Sequence, residues 1–335
     1  MSLVQTNQIK LYESFIWPEK SIYFSKAYHE LFSQIDKTDP VLVCLQSEND
    51  FTFFPFLKKK DSSSYFEGSS TYGYPGFFGS EMTKEKLQCL KEFLAKKNYG
   101  AVFLRHDPLS ETYKKWPVEC LELNRYVYIV ELNELKKNIN GIKFSQKIQW
   151  SINLAKRNGL IASFASGQKI LKKEINDFYK IYKSFILSKT DKNRLLFSDK
   201  FFLDHISLLG ENCDLGTVKN INTNSLECAA FFLKDNKKAV HYHLSASTVE
   251  GKKNQGMDFL LAQAIEYYEQ QGFSLLNLGG GKQMDENDGL SRFKRKFSTN
   301  KKPFYISKIL CDKTKYFEKR SLYGNTNKFL NLEIL

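Results

Sequence analysis

The sequence predicts an α+β (mixed α/β) fold in two domains, and three observations carry that expectation. Short apolar runs bounded by Gly, Pro and Asn read as strands, and they come in blocks with amphipathic helical stretches instead of alternating one for one. The second half runs helix, helix, then several strands crossed by one helix. With 335 residues, 42% of them hydrophobic and including 28 Phe and 18 Tyr, the chain is long for one core and rich enough for two.

In the first half, Ile22–Ser25 precedes a helix with Tyr28, Leu31, Phe32 and Ile35 on one side, and Pro40 breaks it. Val41–Leu45 and Phe51–Leu57 read as paired strands, followed by a turn at Lys58–Asp61. Between Ser69 and Gly79, four turn-formers lie among four aromatics, which enforces an irregular, ring-lined loop suited to a ligand wall. Lys84–Lys97 has helical spacing of Leu87, Leu90, Phe93 and Leu94. Ala101–Leu104 is a strand ending at Arg105, a residue type that binds phosphate or carboxylate with two hydrogen bonds. After a strand at Tyr126–Val130, a polar helical segment at Leu132–Asn140 separates the expected domains, 1–138 and 139–335. A tail from about residue 318 is expected to pack back on the first domain.

The second half opens with a helix over 144–159, apolar at Ile148, Ile152 and Ala155, basic at Lys147, Lys156 and Arg157, and stopped by Gly159. Glu174–Leu187 is a second helix, and Ser198 caps a third that runs to Leu209. Strands follow at Leu226–Leu233 and Ala239–Ser247, then a Gly/Asn turn and a helix over Met257–Gln271. One more apolar strand runs into Gly279, Gly280 and Gly281, and a basic, aromatic segment, Leu290–Phe297, comes after it.

A net charge of +13 points to an anionic partner more than to a fold. Six scattered cysteines with no C-x-x-C pair read as reduced thiols of a cytoplasmic protein, not as disulfides or a zinc site. No apolar run approaches the roughly 18 residues that span a bilayer, so membrane contact is expected to be peripheral at most. No signal peptide is visible.

Several residues have types and positions suited to chemistry. Strand, turn, helix and strand from Ala239 onward form a unit that can hold an acyl donor, with Tyr242, Ser245 and Gly256 as its contacts. Gly280 and Gly281, lacking Cβ groups, let a backbone or an anionic acceptor come close. A lysine beside such a strand end can stabilise an oxyanion or neutralise a diphosphate. His241 and His243 lie two apart in a strand and share a face; His243 is a candidate general base, and no third ligand supports a metal. Gly279–Lys282 lacks the spaced glycine and Ser/Thr of a phosphate-binding loop.

Taken in order, Tyr242–Ser247, Asn277–Gly281 and Asp288–Phe297 resemble the carboxy-terminal signature of FemABX-like proteins of the GNAT acyltransferase superfamily. Tyr72–Gly76 is similar to that family's Y-G-Y-x-G loop, and Ala155–Gly159 to the helix that opens its second domain. The resemblance spans about residues 20 to 310 and implies two GNAT-like domains, each a twisted mixed sheet flanked by helices, with a cleft between them. It implies transfer of an acyl or aminoacyl group onto an amine, with Lys294 matching the family's F-K lysine and Tyr72 and Tyr74 its acceptor loop. The implied acceptors are nucleotide-linked sugars or lipid-linked envelope and polysaccharide precursors. The co-substrate is acyl-CoA or aminoacyl-tRNA, with no tightly bound cofactor, and tRNA or an acyl carrier protein is a partner. Where CoA-dependent relatives carry a Q/R-x-x-G-x-G/A turn, this chain has one glycine in Lys253–Asp258. A tRNA-dependent peptidoglycan-bridge ligase is the alternative within enzymes, although no long helical insertion lies between Leu160 and Leu226. A non-catalytic nucleic-acid-binding protein is the alternative outside them.

Overall fold

The computed structural model describes residues 4–6, 9–18, 20–48, 50–60, 65–135, 137–138, 141–188, 195–236, 238–282 and 284–323. The chain forms two compact units, Met1–Asn124 with Pro303–Leu335, and Arg125–Lys302. The division at Asn124 precedes the expected one at 138, and the return to unit 1 begins at Pro303, not near 318.

Unit 1 contains β1 (Val4–Thr6), β2 (Ile9–Glu13), α1 (Lys26–Asp36), β3 (Asp39–Ser47), β4 (Asp50–Lys60), β5 (Phe66–Ser69), β6 (Phe78–Gly79), α2 (Lys84–Lys96) and β7 (Tyr99–Arg105). The chain passes through β8 (Glu122–Glu131) into unit 2. The unit 1 sheet runs β1-β2-β3-β4-β5-β7, with β6 on β4, and only β5 and β7 pair in parallel. Both helices start where a hydroxyl oxygen accepts a first-turn N–H: Ser25 from Tyr28, and Thr83 from Lys86. The apolar face of α2 closes a core with Phe54, Phe56 and Trp116 through Leu90 and Phe93, while α1 packs on β3 and β4. At Lys58–Lys60 the expected turn is strand, because these residues pair with Phe66–Gly68; Asp61 lies outside the described residues.

Unit 2 holds β9 (Lys137–Asn138), β10 (Gly141–Ile142), α3 (Gln146–Arg157), β11 (Leu160–Ser166), α4 (Lys172–Leu187), α5 (Asp199–Leu209), β12 (Cys213–Asn220), β13 (Ser225–Asp235), β14 (Ala239–Ser247), α6 (Val249–Lys253), α7 (Gly256–Gln270), β15 (Leu275–Gly280) and α8 (Gly289–Arg295). The polar segment after β8 is a short 3-10 turn and the β9–β10 hairpin, not the expected helix. The sheet runs β8-β15-β14-β13-β12-β11, and β14 and β15 are its parallel pair. Successive strand residues face opposite sides. Accordingly Phe232 meets Tyr268 of α7, with ring centroids 5.4 Å apart, while Phe231 meets Phe178 of α4 at 5.1 Å. Helices thus cover both faces, and α3 packs on α7 through Ile148, Ile152 and Ala155.

β16 (Lys301–Leu310) then enters unit 1 and pairs antiparallel with β7 from Ile306↔Arg105 to Leu310↔Ala101, and α9 (Lys313–Tyr323) follows. Among the described residues no helix is long and apolar enough to cross a membrane.

Candidate active site

In unit 2, β14 and β15 pair at Ala239↔Leu275, Val240↔Leu276 and His241↔Asn277, and there the ladder stops although both strands continue. The last paired residues are linked by their side chains. Asn277 donates from Nδ2 to His241 Nδ1 (3.2 Å), so His241 carries its proton on Nε2 and donates it to Asp235 Oδ2 (2.9 Å). Asn277 Oδ1 accepts the Gly279 N–H (2.8 Å) at a register shift in β15, where Gly279 has φ +74°. That conformation is open to glycine and strained for other residues. Past the ladder's end, Phe231 faces both His243 and Leu244, a bulge that brings Tyr242 and Ser245 to one side, with their hydroxyls 2.6 Å apart. The two expected donor contacts on β14 therefore lie together, beyond the point where the strands part.

The glycine run ends in a cradle for two cations. Buried Lys294, on α8, donates to the Gly280 carbonyl (2.6 Å), and Arg125, on β8, donates to the Gly281 carbonyl (2.8 Å). Asp288 caps α8, accepting from the Leu290 and Ser291 N–H groups (2.7 and 3.1 Å) and from Ser291 Oγ (2.8 Å). Burial, with the nearby Arg125 charge adding to it and Asp288 partly opposing it, lowers the Lys294 pKa to about 7. An amine in that range exchanges its charge near neutral pH. A Cβ on Gly280 would come within 2.7 Å of Arg125 Cδ, and one on Gly281 within 2.1 Å of Ser291 Oγ and 2.2 Å of Asp288 Oδ2. The expectation that these glycines make room for an acceptor is corrected: they make room for Arg125 and for the cap of α8. Gly281→Ala should cost about 2 kcal/mol or more, read as a lower melting temperature, because the cap must shift. Arg125 was not found from sequence; a lone arginine in a strand reads as a solvent-facing residue.

One other expectation is corrected. His243, the candidate general base, packs against His205 (ring centroids 5.6 Å apart), which belongs to the α4–α5 aromatic cluster. Burial and the neighbouring His205 and His241 hold its imidazole neutral. Gly256, expected as a donor contact, is closely packed at the start of α7: a Cβ there would lie 2.6 Å from Cys228 Sγ and 3.2 Å from the Gly251 carbonyl. The start of α7 also carries its own anions. Buried Asp258, in its first turn, is held by Lys296 Nζ (2.7 and 3.0 Å) and Ser151 Oγ (2.9 Å). Asn254, just before the helix, donates to buried Glu227 (2.9 Å). A helix N-terminus attracts a diphosphate through its unshared N–H groups and positive end. These carboxylates are bound by side chains, and the first-turn N–H groups of α7 take no side-chain cap. Among the described residues no group of three His, Cys, Asp or Glu could hold a metal.

In unit 1, the loop from Ser70 to Phe77 is built from rings. Tyr28 donates to the Tyr72 carbonyl (2.8 Å), Tyr23 packs on Tyr28 and Tyr74 (5.0 and 5.6 Å), and Tyr74 on Phe304 (5.0 Å). Gly73, at φ +95°, leaves the space that the Tyr23 ring fills. The loop is tied to β7 by Ser70 N–H to the Phe103 carbonyl (2.8 Å) and Gly76 N–H to the Arg105 carbonyl (2.9 Å). The Arg105 guanidinium lies 6.0 Å from the Tyr72 ring centre. Tyr72, Tyr74 and Arg105, expected from the sequence as acceptor contacts, are thus gathered at one place, with Tyr72 exposed.

No family model and no curated protein matches the sequence. Solved structures do match over most of the chain. FemX superposes with a TM-score of 0.61 at 13% identity, covering 90% of this chain and 95% of that one. L-PGS from Bacillus licheniformis gives 0.52 at 12%, covering 87% and 93%. A tandem GNAT protein from the clavulanic acid biosynthesis pathway gives 0.50 at 7%, covering 90% and 99%. The chain therefore has the FemX-like GNAT fold, shared with tandem GNAT proteins.

Proposed function

We propose that the chain is an acyl- or aminoacyltransferase that acylates an amino group of a nucleotide-linked sugar or another cell-envelope precursor. The observation that carries this reading is the parting of β14 and β15 beyond His241 and Asn277, with Tyr242 and Ser245 beside it. Lys294, held on the glycine run of β15, adds a tunable charge. Backbone N–H groups of β14 past the ladder's end are no longer spent on β15 and can meet a developing oxyanion. The acceptor amine attacks the acyl carbonyl directly, and the Lys294 ammonium stabilises the negative charge on the carbonyl oxygen. Such a reaction needs positioning and charge stabilisation, and no covalent nucleophile. In this reading Arg105 and the Tyr72–Gly76 loop hold the anionic part of the acceptor. The fold shared with FemX and L-PGS supports transfer to envelope components as a class.

The test is transfer of a labelled acyl or aminoacyl group onto UDP-linked amino sugars by the purified chain. Arg105→Ala should raise KM for the nucleotide sugar about tenfold to a hundredfold with little change in kcat. A KM unchanged in that variant would remove Arg105 from the acceptor site. No transfer to any amino-bearing precursor, from thioester or aminoacyl-tRNA donors, would remove the proposal itself.

A further inference from the structure

The two most exposed large apolar side chains among the described residues are neighbours in the sequence: Phe15 at 93% and Ile16 at 82%. They lie between β2 and α1, on a segment of unit 1 that is held at both ends. Before them, the Ser14 N–H donates to the Leu42 carbonyl of β3 (2.7 Å). After them, Trp17 packs on buried His29 and Phe24, with ring centroids 4.9 and 6.2 Å apart. Between these anchors one hydroxyl serves both backbone groups of Ile16: Ser14 Oγ accepts its N–H (3.2 Å) and donates to its carbonyl (3.0 Å). Pro18, two residues on, has no N–H to satisfy. A tip with apolar side chains outward and its polar backbone satisfied from within suits an apolar medium, where unpaired amides and carbonyls are costly.

The surface behind the tip has a matching character. Rings continue from Trp17 through Phe24 to Phe78, and Phe78, Phe53 and Phe51 stack in a ladder with successive centroids 6.2 Å apart. The ladder ends at Phe51, 43% exposed. Lys20 holds its ammonium 3.8 Å from the centre of the Phe78 ring. Exposed Lys10 and Phe51 pair with Gln46 from either side, so both lie on one face of the sheet.

We propose that this part of unit 1 docks on an anionic membrane surface, with Phe15 and Ile16 inserted below the headgroups and Lys10 and Lys20 among them. The inference concerns where the protein works and stands apart from the acyl-transfer reading. Three observations favour a bilayer over a protein partner. The Ile16 backbone asks for no donor or acceptor from outside, whereas a segment that binds a protein through its main chain leaves those groups open. Phenylalanine and tryptophan rings beside lysines are the composition of an interfacial anchor. The net charge of +13 is complementary to an anionic leaflet. Two inserted side chains give shallow, reversible attachment.

The experiment is flotation of the full chain with vesicles of phosphatidylcholine alone, or of equal parts phosphatidylglycerol and phosphatidylcholine. Saturable partitioning onto the anionic vesicles is expected. Phe15→Ser/Ile16→Ser should weaken it about tenfold or more, with an unchanged melting temperature because both side chains are exposed. Lys10→Glu/Lys20→Glu and high salt should each weaken it to a similar degree. In Phe15→Trp, lipids brominated on their acyl chains should quench more fluorescence than in the parent. No binding to anionic vesicles, or binding that Phe15→Ser/Ile16→Ser leaves intact, would overturn the inference. So would binding in which Phe15→Trp adds no quenching, since charge alone would then hold the protein at the surface. A parent dimer that Phe15→Ser/Ile16→Ser converts to a monomer would assign the tip to a second copy of the chain instead.

Discussion

Replacing Lys294 by methionine should lower acyl transfer about a hundredfold or more while making the folded chain more stable near neutral pH. The loss of rate follows from removing the charge placed to meet the oxyanion, the kind of contact worth about 2.7–4 kcal/mol of barrier. The gain in stability follows from the sign of the shift. A lysine whose folded pKa drops from its ordinary 10.5 to about 7 is held neutral by the fold, while the unfolded chain still binds the proton. Between pH 7 and 10.5 the unfolded state therefore carries more protons, and stability rises with pH through that window. Below pH 7 the buried ammonium imposes its full cost. Methionine removes the cost, on the order of 4 kcal/mol at pH 7, and gives back about 1–3 kcal/mol by leaving the Gly280 carbonyl without its donor. The variant's advantage should accordingly be largest at and below pH 7 and vanish by about pH 10, as read from denaturant unfolding at several pH values. A variant less stable than the parent at both ends would mean that Lys294 holds α8 in place and does not tune a charge. The alkaline fall in kcat should also disappear in the variant, because the group that loses its proton there is gone.

The parts of this site differ in how legible they were. β14 and α7 lie within two residues of their sequence-based bounds, since each is a local pattern, a strand run and a helical period; β15 runs into the glycines as expected, and Leu290–Phe297, read only as a basic, aromatic segment, holds most of α8. β11 and β12 were not found. β11 is half-covered and reads as neither alternating nor apolar, and β12, Cys213–Asn220, breaks its apolar run with Asp214 and Gly216. Asp214 can be buried there only because Tyr268, Ser166 and Lys234 bind its carboxylate, partners that arrive from three other elements. β16 carries Pro303 and three lysines, and its role depends on pairing with β7 some two hundred residues earlier. The same holds for function. Tyr72, Tyr74 and Arg105 could be proposed from a loop and a strand end, but Arg125 becomes part of the site only through the pairing of β8 with β15, which no local pattern encodes. His243 was misread for the complementary reason. A histidine in a strand looks alike whether it faces a ligand or a packed neighbour.

Acidification from pH 6.5 to about 4.5 should unfold both units, well above the range in which carboxylates usually drive acid denaturation. All five histidines are buried, and four are held neutral by desolvation: His29 and His205 with pKa values lowered to about 4, His106 to about 3, and His243 well below its ordinary range. Each is fixed as a neutral ring. His29 and His205 donate from Nδ1 to the carbonyls of Ser25 and Phe201 (both 3.0 Å). His106 donates from Nε2 to Ser307 Oγ (2.8 Å), whose own proton goes to the Cys120 carbonyl. Because the folded pKa values are depressed, the unfolded chain protonates first. The stability these rings contribute is complete above pH 6.5 and drains away as pH falls toward 4. At pH 5 the unfolded state gains about 2 kcal/mol per ring, so four rings approach the roughly 5–15 kcal/mol that holds a typical domain together. Lys294 adds nothing to this slope, since it is already charged below pH 7, and Asp50 and Asp288, held low by their hydrogen bonds, titrate beneath the window. His29 and His106 lie in unit 1, His205 and His243 in unit 2, so the loss falls on both. His205→Phe, placing a ring of similar size among Phe201, Phe202 and Phe231, should flatten the acid slope of unit 2 and leave that of unit 1 unchanged. Melting temperatures that stay level from pH 6.5 to 4.5 would show that these imidazoles are reached by water and charge without cost. An acid slope that His205→Phe leaves unaltered would place the titrating group elsewhere.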